Sequence, residues 1–136
     1  MIENQLALKR VAPQLSFETF SYPINAPRPL TKLRMGNRFL CCRGSGQTFN
    51  AGITDLNYLR AYFLEKRPDD ETALQRIIDM NAKACGWLIF ATHDVCSQPS
   101  PFGCTPKFFD FAVRYAVRSG ARVLPVMQAL RLLQAT

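Results

Sequence analysis

Apolar residues recur along this chain with two different periods, and the period changes sharply near residue 86. Between residues 69 and 83, Leu74, Ile77, Ile78 and Ala82, continued by Cys85, fall three or four apart, which predicts a helix with one buried stripe. Acids at 69–71 suit its positive N-terminal end, and Gly86 is placed to close it. The next residues, 87–91 (WLIFA), are apolar without a break. That run is long enough for a strand buried on both faces and too short for an independent helix. Further on, Thr105-Pro106 supplies an N-cap followed by proline in the first helical turn, and Phe109, Ala112, Val113, Ala116 and Val117 keep helical period up to Gly120. Residues 121–124 read as a short strand and 126–134 as a last helix. The order helix, strand, helix, strand, helix with short connections predicts a parallel sheet with crossover helices.

The first half is less regular. Residues 2–12 form a weakly amphipathic helix that stops at Pro13. Residues 16–22 (SFETFSY) alternate, with Phe17, Thr19 and Ser21 on one face and Glu18, Phe20 and Tyr22 on the other, which predicts a strand. A proline-rich loop leads into a short basic helix over 30–35, ended by Gly36-Asn37. Residues 38–43 (RFLCCR) are a second buried-strand candidate, broken by Gly44-Ser45-Gly46. That triplet lacks the spacing and lysine of a phosphate loop and reads as a flexible turn. Residues 57–64 suit strand or helix, and 59–64 are taken as strand. The fold class expected is α/β: strands near 16–22, 38–43, 87–92 and 121–124 in one largely parallel sheet, with helices 70–84 and 106–119 packed outside it.

Length and composition narrow this picture. At 136 residues, 48% hydrophobic and 20% charged, the chain is a single domain, 1–136, with enough apolar surface for a core. It has no apolar run of about 18 residues and no leader-like hydrophobic region at its N-terminus, so neither a membrane span nor a membrane partner is expected. Five cysteines at irregular spacing suit reduced, mostly buried thiols, and with no signal peptide a cytoplasmic setting is expected. The net charge of +7 is densest from Arg28 to Arg43, a stretch that includes Lys32, Arg34 and Arg38 and no acid. No zinc-finger, RNP or helix-turn-helix pattern accompanies it, so nucleic acid is not the expected partner.

The chemistry concentrates after the 87–91 run. There stands the only histidine, His93, beside Asp94 and ahead of a loop rich in proline and serine. Function on α/β scaffolds gathers where strands end, so His93 suits general acid–base work. The alternative is a structural histidine bonded at a strand end. His93, Cys96 and Cys104 do not make a metal site by spacing, since no CxxC pair is present. Phe108, Phe109 and Phe111 read as core. Tyr22-Pro23 reads as the end of a strand.

Several segments taken in order resemble the NodB-like polysaccharide deacetylases, a carbohydrate esterase family built on a distorted β/α barrel. GWLIFATHDV, PSPFGCTP and SGARVLPVMQAL are similar to the last third of that domain. Upstream, FETFSYP resembles the family's strand ending in an aromatic-Pro turn, and FLCCRGSG its next strand with an Arg-Gly end. The resemblance implies a partial barrel corresponding to the C-terminal part of the domain. In the family a divalent, zinc-like metal held by an Asp and two His polarises the acetamide carbonyl and activates water, and an early carboxylate acts as base. His93 matches the late histidine that protonates the leaving amine, with Asp94 beside it as a weaker catalytic candidate. Tyr22, Pro23 and Ile24 match the groove-forming turn whose backbone N–H binds the oxyanion. The turn reads Pro23-Ile24-Asn25 where the family often has Pro-Tyr-Gly.

The family's HxxxH segment and early Asp lie before the matched region. This chain is therefore expected to hold no cofactor and no metal ligands of its own, and to be inactive alone in hydrolysing carbon–nitrogen bonds. The expected ligand is an N-acetylated glycan, and the expected protein partner an N-terminal half chain or a further copy in a homo-oligomer. The alternatives are a split deacetylase completed by that partner, and a basic carbohydrate- or nucleic-acid-binding module using the Arg28–Arg43 surface.

Overall fold

A computed structural model describes residues 2–65 and 70–135. Five α-helices occur among them: α1 (Ile2–Val11), α2 (Pro29–Gly36), α3 (Glu71–Lys83), α4 (Pro106–Arg118) and α5 (Val126–Gln134). Four short strands accompany these, β1 (Thr19–Ser21), β2 (Cys41–Arg43), β3 (Tyr62–Phe63) and β4 (Phe90–Ala91). Asp69, expected at the head of α3, lies outside the described residues. Asp70 caps that helix, accepting from the Ala73 N–H, and Thr105 caps α4 with Pro106 behind it.

Among the described residues both pairs of named strands are parallel, and a single antiparallel bridge joins Asn50 to Trp87. Thr19 faces Cys41, Phe20 faces Cys42 and Ser21 faces Arg43, while Tyr62 faces Phe90 and Phe63 faces Ala91. The two pairs are joined by a parallel bridge between Arg43 and Leu59, where the Leu59 N–H donates to Cys42 O at 2.8 Å and the Gly44 N–H to Leu59 O at 2.9 Å. The result is an arc of two two-stranded sheets, not the single sheet expected, in the order β1, β2, residues 59–63, β4. The protein is thus mixed α/β with parallel pairing, and no closed barrel forms among the described residues.

Strand alternation sorts the apolar side chains into two layers. Cys41, Leu59, Ala61 and Ile89 pack with Leu130 of α5 on one face. Tyr62, Leu64, Leu88 and Phe90 face the other way, onto α3 and α4, around Leu74, Ile78, Phe108 and Ala112. Tyr22, Cys42 and Met35 make a third cluster beneath α2. Arg131 of α5 clasps the Glu18 carboxylate just before β1, at 3.0 Å.

Four local expectations are corrected. Residues 121–124 form no strand. The Ala121 N–H closes the end of α4 onto Ala116 O, Pro125 already caps α5, and too little chain remains between them to pair. The buried stripe of α4 runs through Phe108, Ala112 and Ala116, while Phe109 and Val117 stay exposed. With phenylalanines at 108, 109 and 111, two adjoining faces are equally apolar, and packing against α3 decides between them. In α3, Asn81 is buried instead of Ala82, and the left-handed residue that ends the helix is Cys85 (φ 47°), not Gly86. Gly86 is needed for room: a Cβ there would lie 2.7 Å from Asn81 Oδ1 and 2.9 Å from Asn50 O. Finally, the loop after β2 is pinned. Gln47 donates its N–H to Ala61 O and accepts the Phe63 N–H on Oε1.

Candidate functional site

Because the segments of the arc are parallel, their C-terminal ends share one edge, the place where α/β folds present ligand-binding loops. Ser21-Tyr22, Arg43-Gly44, Phe63-Leu64 and Thr92-His93 lie along it. The Tyr22 turn and His93 are therefore at the same end of the sheet, with β2 and residues 59–63 between them.

His93 is exposed. Its ring leans on Phe102 with centroids 5.5 Å apart, and its backbone N–H donates to Phe102 O at 3.2 Å. The ring meets no hydrogen-bond partner among the described residues. The imidazole is open to solvent and to any ligand reaching the strand ends.

Asp94 is bound into its own loop. Its carboxylate accepts the Ser100 N–H at 2.9 Å and the Ser100 hydroxyl at 2.6 Å, and Cys96 Sγ approaches at 3.6 Å. The Cys104 N–H donates to Asp94 O, and a Cβ on Gly103 would strike the Asp94 carboxyl. This geometry gives Asp94 the work of holding residues 94–104 folded beneath His93. The Ser100 hydroxyl and N–H, with smaller help from Cys96 and His93, keep the carboxylate below its ordinary range. A lowered carboxylate pKa strengthens the folded loop above the unfolded value, and that contribution is lost as acid protonates the folded group. The Ser100 amide resonance is therefore expected to move only below about pH 4, and to stay still in Asp94→Asn. A Ser100 shift that titrates in the Asn variant as well would count against this role.

The Tyr22 turn is built differently from a groove wall. The Tyr22 ring is 3% exposed, its hydroxyl donates to Asn57 O at 3.0 Å, and burial, with the neighbouring Cys42, pushes its pKa up. What reaches the surface is Pro23 and Ile24. Ile24 and Asn25 both adopt φ 60°, and Ile24 is 95% exposed. A left-handed β-branched residue costs on the order of 1–3 kcal/mol and persists only where its surroundings hold it. The Tyr58 hydroxyl does this from one side, donating to Asn25 O at 2.8 Å. Gly44 leaves room on the other, since a Cβ there would collide with the Tyr58 ring and lie 2.9 Å from Asn25 O.

In the sequence Arg43 stands out only as part of a basic stretch and as the end of a strand, and Asn50 is not singled out. Arg43 lies half-buried at the end of β2, its guanidinium 5.4 Å from the centroid of the Phe63 ring. The signal was present, an arginine closing an apolar run, but nothing in the sequence gives its surroundings. Asn50 is 7% exposed and clamps residues 60 and 87: its side-chain amide donates to Arg60 O and Trp87 O and accepts the Arg60 N–H. No sequence pattern marks it.

Cys41, Cys42 and Cys104 are buried, and burial raises the Cys41 thiol to about 11, so it is a packing residue and not a nucleophile. Cys85 and Cys96 are exposed. Of the basic stretch, Lys32 pairs with Asp55, while Arg28, Arg34 and Arg38 are solvated around α2. Among the described residues no three His, Cys, Asp or Glu side chains converge as metal ligands, and no helix is long and apolar enough to cross a membrane. With a single imidazole, and the Asp94 carboxylate engaged by Ser100, the donors here do not fit a three-ligand divalent site. No protein-family model, curated protein or solved structure matches this chain.

Proposed function

We propose that these residues are the C-terminal part of a NodB-like polysaccharide deacetylase domain, whose reaction is hydrolysis of the N-acetyl amide of a glycan. The observation that carries the reading is the exposed His93 ring at the end of β4, on the same edge as the strained Pro23–Asn25 turn after β1. The sequence segments that resemble the family contain β1, β2 and β4 of this arc.

In the reaction water adds to the acetyl carbon, the carbon–nitrogen bond breaks, and acetate and a free amine leave. His93, protonated, donates its proton to the departing nitrogen, which otherwise leaves as a poor amide anion. A backbone N–H of the turn donates to the oxyanion as it forms, and the Tyr58 hydroxyl, by holding the strained turn at Asn25 O, keeps that donor in place before the substrate arrives. The family's metal supplies the nucleophilic water and a Lewis acid. Its ligands and the base must come from residues outside these 136, in a longer polypeptide or a second chain. One positioned acid contributes only about 10²–10⁴-fold, far too little for amide hydrolysis by itself.

The test uses the 136-residue chain and N-acetylglucosamine oligomers. Amide shifts of residues 22–25 and 93 are expected to move together on titration, with no acetate released and no divalent metal kept through dialysis. An absence of perturbation, or perturbation confined to the Arg28–Arg38 surface, sinks the glycan reading. Zinc-dependent acetate release by this chain alone sinks the claim that its metal ligands lie elsewhere.

A further inference from the structure

Arg43 carries a charge that the described protein does not answer. Among the described residues two of its nitrogens meet acceptors, Nη2 at Ser21 Oγ and Nη1 at Gly44 O, and neither acceptor is charged. Arginines taken this far out of water normally meet a carboxylate or phosphate, because a desolvated guanidinium without one is costly. Burial indeed presses its pKa downward. No carboxylate among the described residues forms an ion pair with Arg43: Glu18 pairs with Arg131, Asp55 with Lys32 and Asp110 with Arg114, and Asp94 accepts from Ser100.

The position is also a receptor's position. Ser21 and Arg43 are register partners, as are Phe63 and Ala91, and the Arg43–Leu59 bridge puts all four on one face of the arc at its C-terminal end. The guanidinium carbon sits over the Phe63 ring, 5.4 Å from its centroid, a cation–π contact that uses none of its N–H donors. His93 follows two residues after Ala91, just beyond the end of β4. A planar, bidentate acceptor suits the remaining donors best, and a carboxylate has that shape.

We propose that Arg43 is the anchor of a binding site for a small-molecule carboxylate, seated at the strand ends between Ser21 and Phe63. Recognition is by charge and by the fork geometry of the guanidinium, with the Phe63 ring as its floor. The site does not depend on the deacetylase reading, since it rests on Arg43 and its neighbours alone.

The test is a titration of the 136-residue chain with sodium acetate and with glucuronate, following the Arg43 Nε–Hε resonance, with neutral N-acetylglucosamine as the control. Saturable movement of that resonance by either carboxylate, and not by the neutral sugar, is expected. In Arg43→Gln the carboxylate affinity, read from neighbouring amides, should fall about 10- to 100-fold. Arg43→Lys should also bind more weakly, because it keeps the charge and loses the fork. Arg38→Gln, which removes an exposed charge nearby, should bind like the parent. Equal affinity in Arg43→Gln and the parent, equal losses in Arg38→Gln and Arg43→Gln, or an Arg43 resonance that neither carboxylate moves would each overturn the proposal. Should Arg43→Gln fail to fold, the parent resonance and the Lys variant decide the matter by themselves.

Discussion

Replacing His93 by Gln is expected to leave the melting temperature close to that of the parent while lowering deacetylation about 10²–10⁴-fold. The first half of that expectation follows from exposure. The ring is solvated, has no hydrogen-bond partner among the described residues, and touches chiefly Phe102, itself 57% exposed. Substitutions at such surface positions stay within about 0.5 kcal/mol. The second half follows from the chemistry, since Gln offers a hydrogen bond but cannot deliver a proton to the leaving amine. The measurement requires an active form, either a longer polypeptide containing these residues or this chain joined by the part that supplies the metal ligands. Acetate release is read at saturating substrate, where loss of a general acid lowers kcat more than it raises KM. Unchanged turnover would return His93 to an ordinary surface residue. A collapsed melting temperature would make it a structural one, against its exposure.

Leu59→Ala is expected to cost about 2–5 kcal/mol, a large part of the roughly 5–15 kcal/mol that holds a domain folded. Leu59 is fully buried, packed with Cys41, Ala61, Ile89 and Leu130. Among the described residues its backbone is also the one strand-like bridge between the β1–β2 pair and the β3–β4 pair. Loss of its side chain opens a cavity where two short parallel pairs and α5 meet, and pairs of two or three residues have little of their own to hold them. Urea denaturation should show a lower midpoint with a nearly unchanged slope. A variant as stable as the parent would mean that the two pairs are held together by the α3–α4 layer alone.

Helix positions were legible in the sequence because their causes are local. Proline behind Thr105, the acidic residues before α3 and apolar spacing of three to four define α3, α4 and α5 within a residue or two. The parallel order was legible as well, since strands separated by helices cannot pair as hairpins. Even His93 at a strand end could be read, because an apolar run that stops at Thr-His-Asp has to surface there.

The remaining features depend on what lies across space. Which apolar face of α4 turns inward is a choice between two nearly equal stripes, and it is made by α3 and Leu64. Residues 121–124 have strand-like composition, but composition alone gives them no neighbour, and the caps on either side leave them unpaired. Tyr22 could have walled a groove or filled a core, and the acceptor at Asn57 O draws it inward. Asp94 could have served chemistry or structure, and Ser100, six residues on, takes both its oxygens. Arg43 is the clearest case. Its letter records a charge, while its significance comes from Ser21, Phe63 and the lack of an ion-pair partner among the described residues. Electrostatic and hydrogen-bonding roles belong to sets of groups separated by many residues, so the sequence by itself determined the elements and their order, and only the tertiary structure decided which side chains were left free to act.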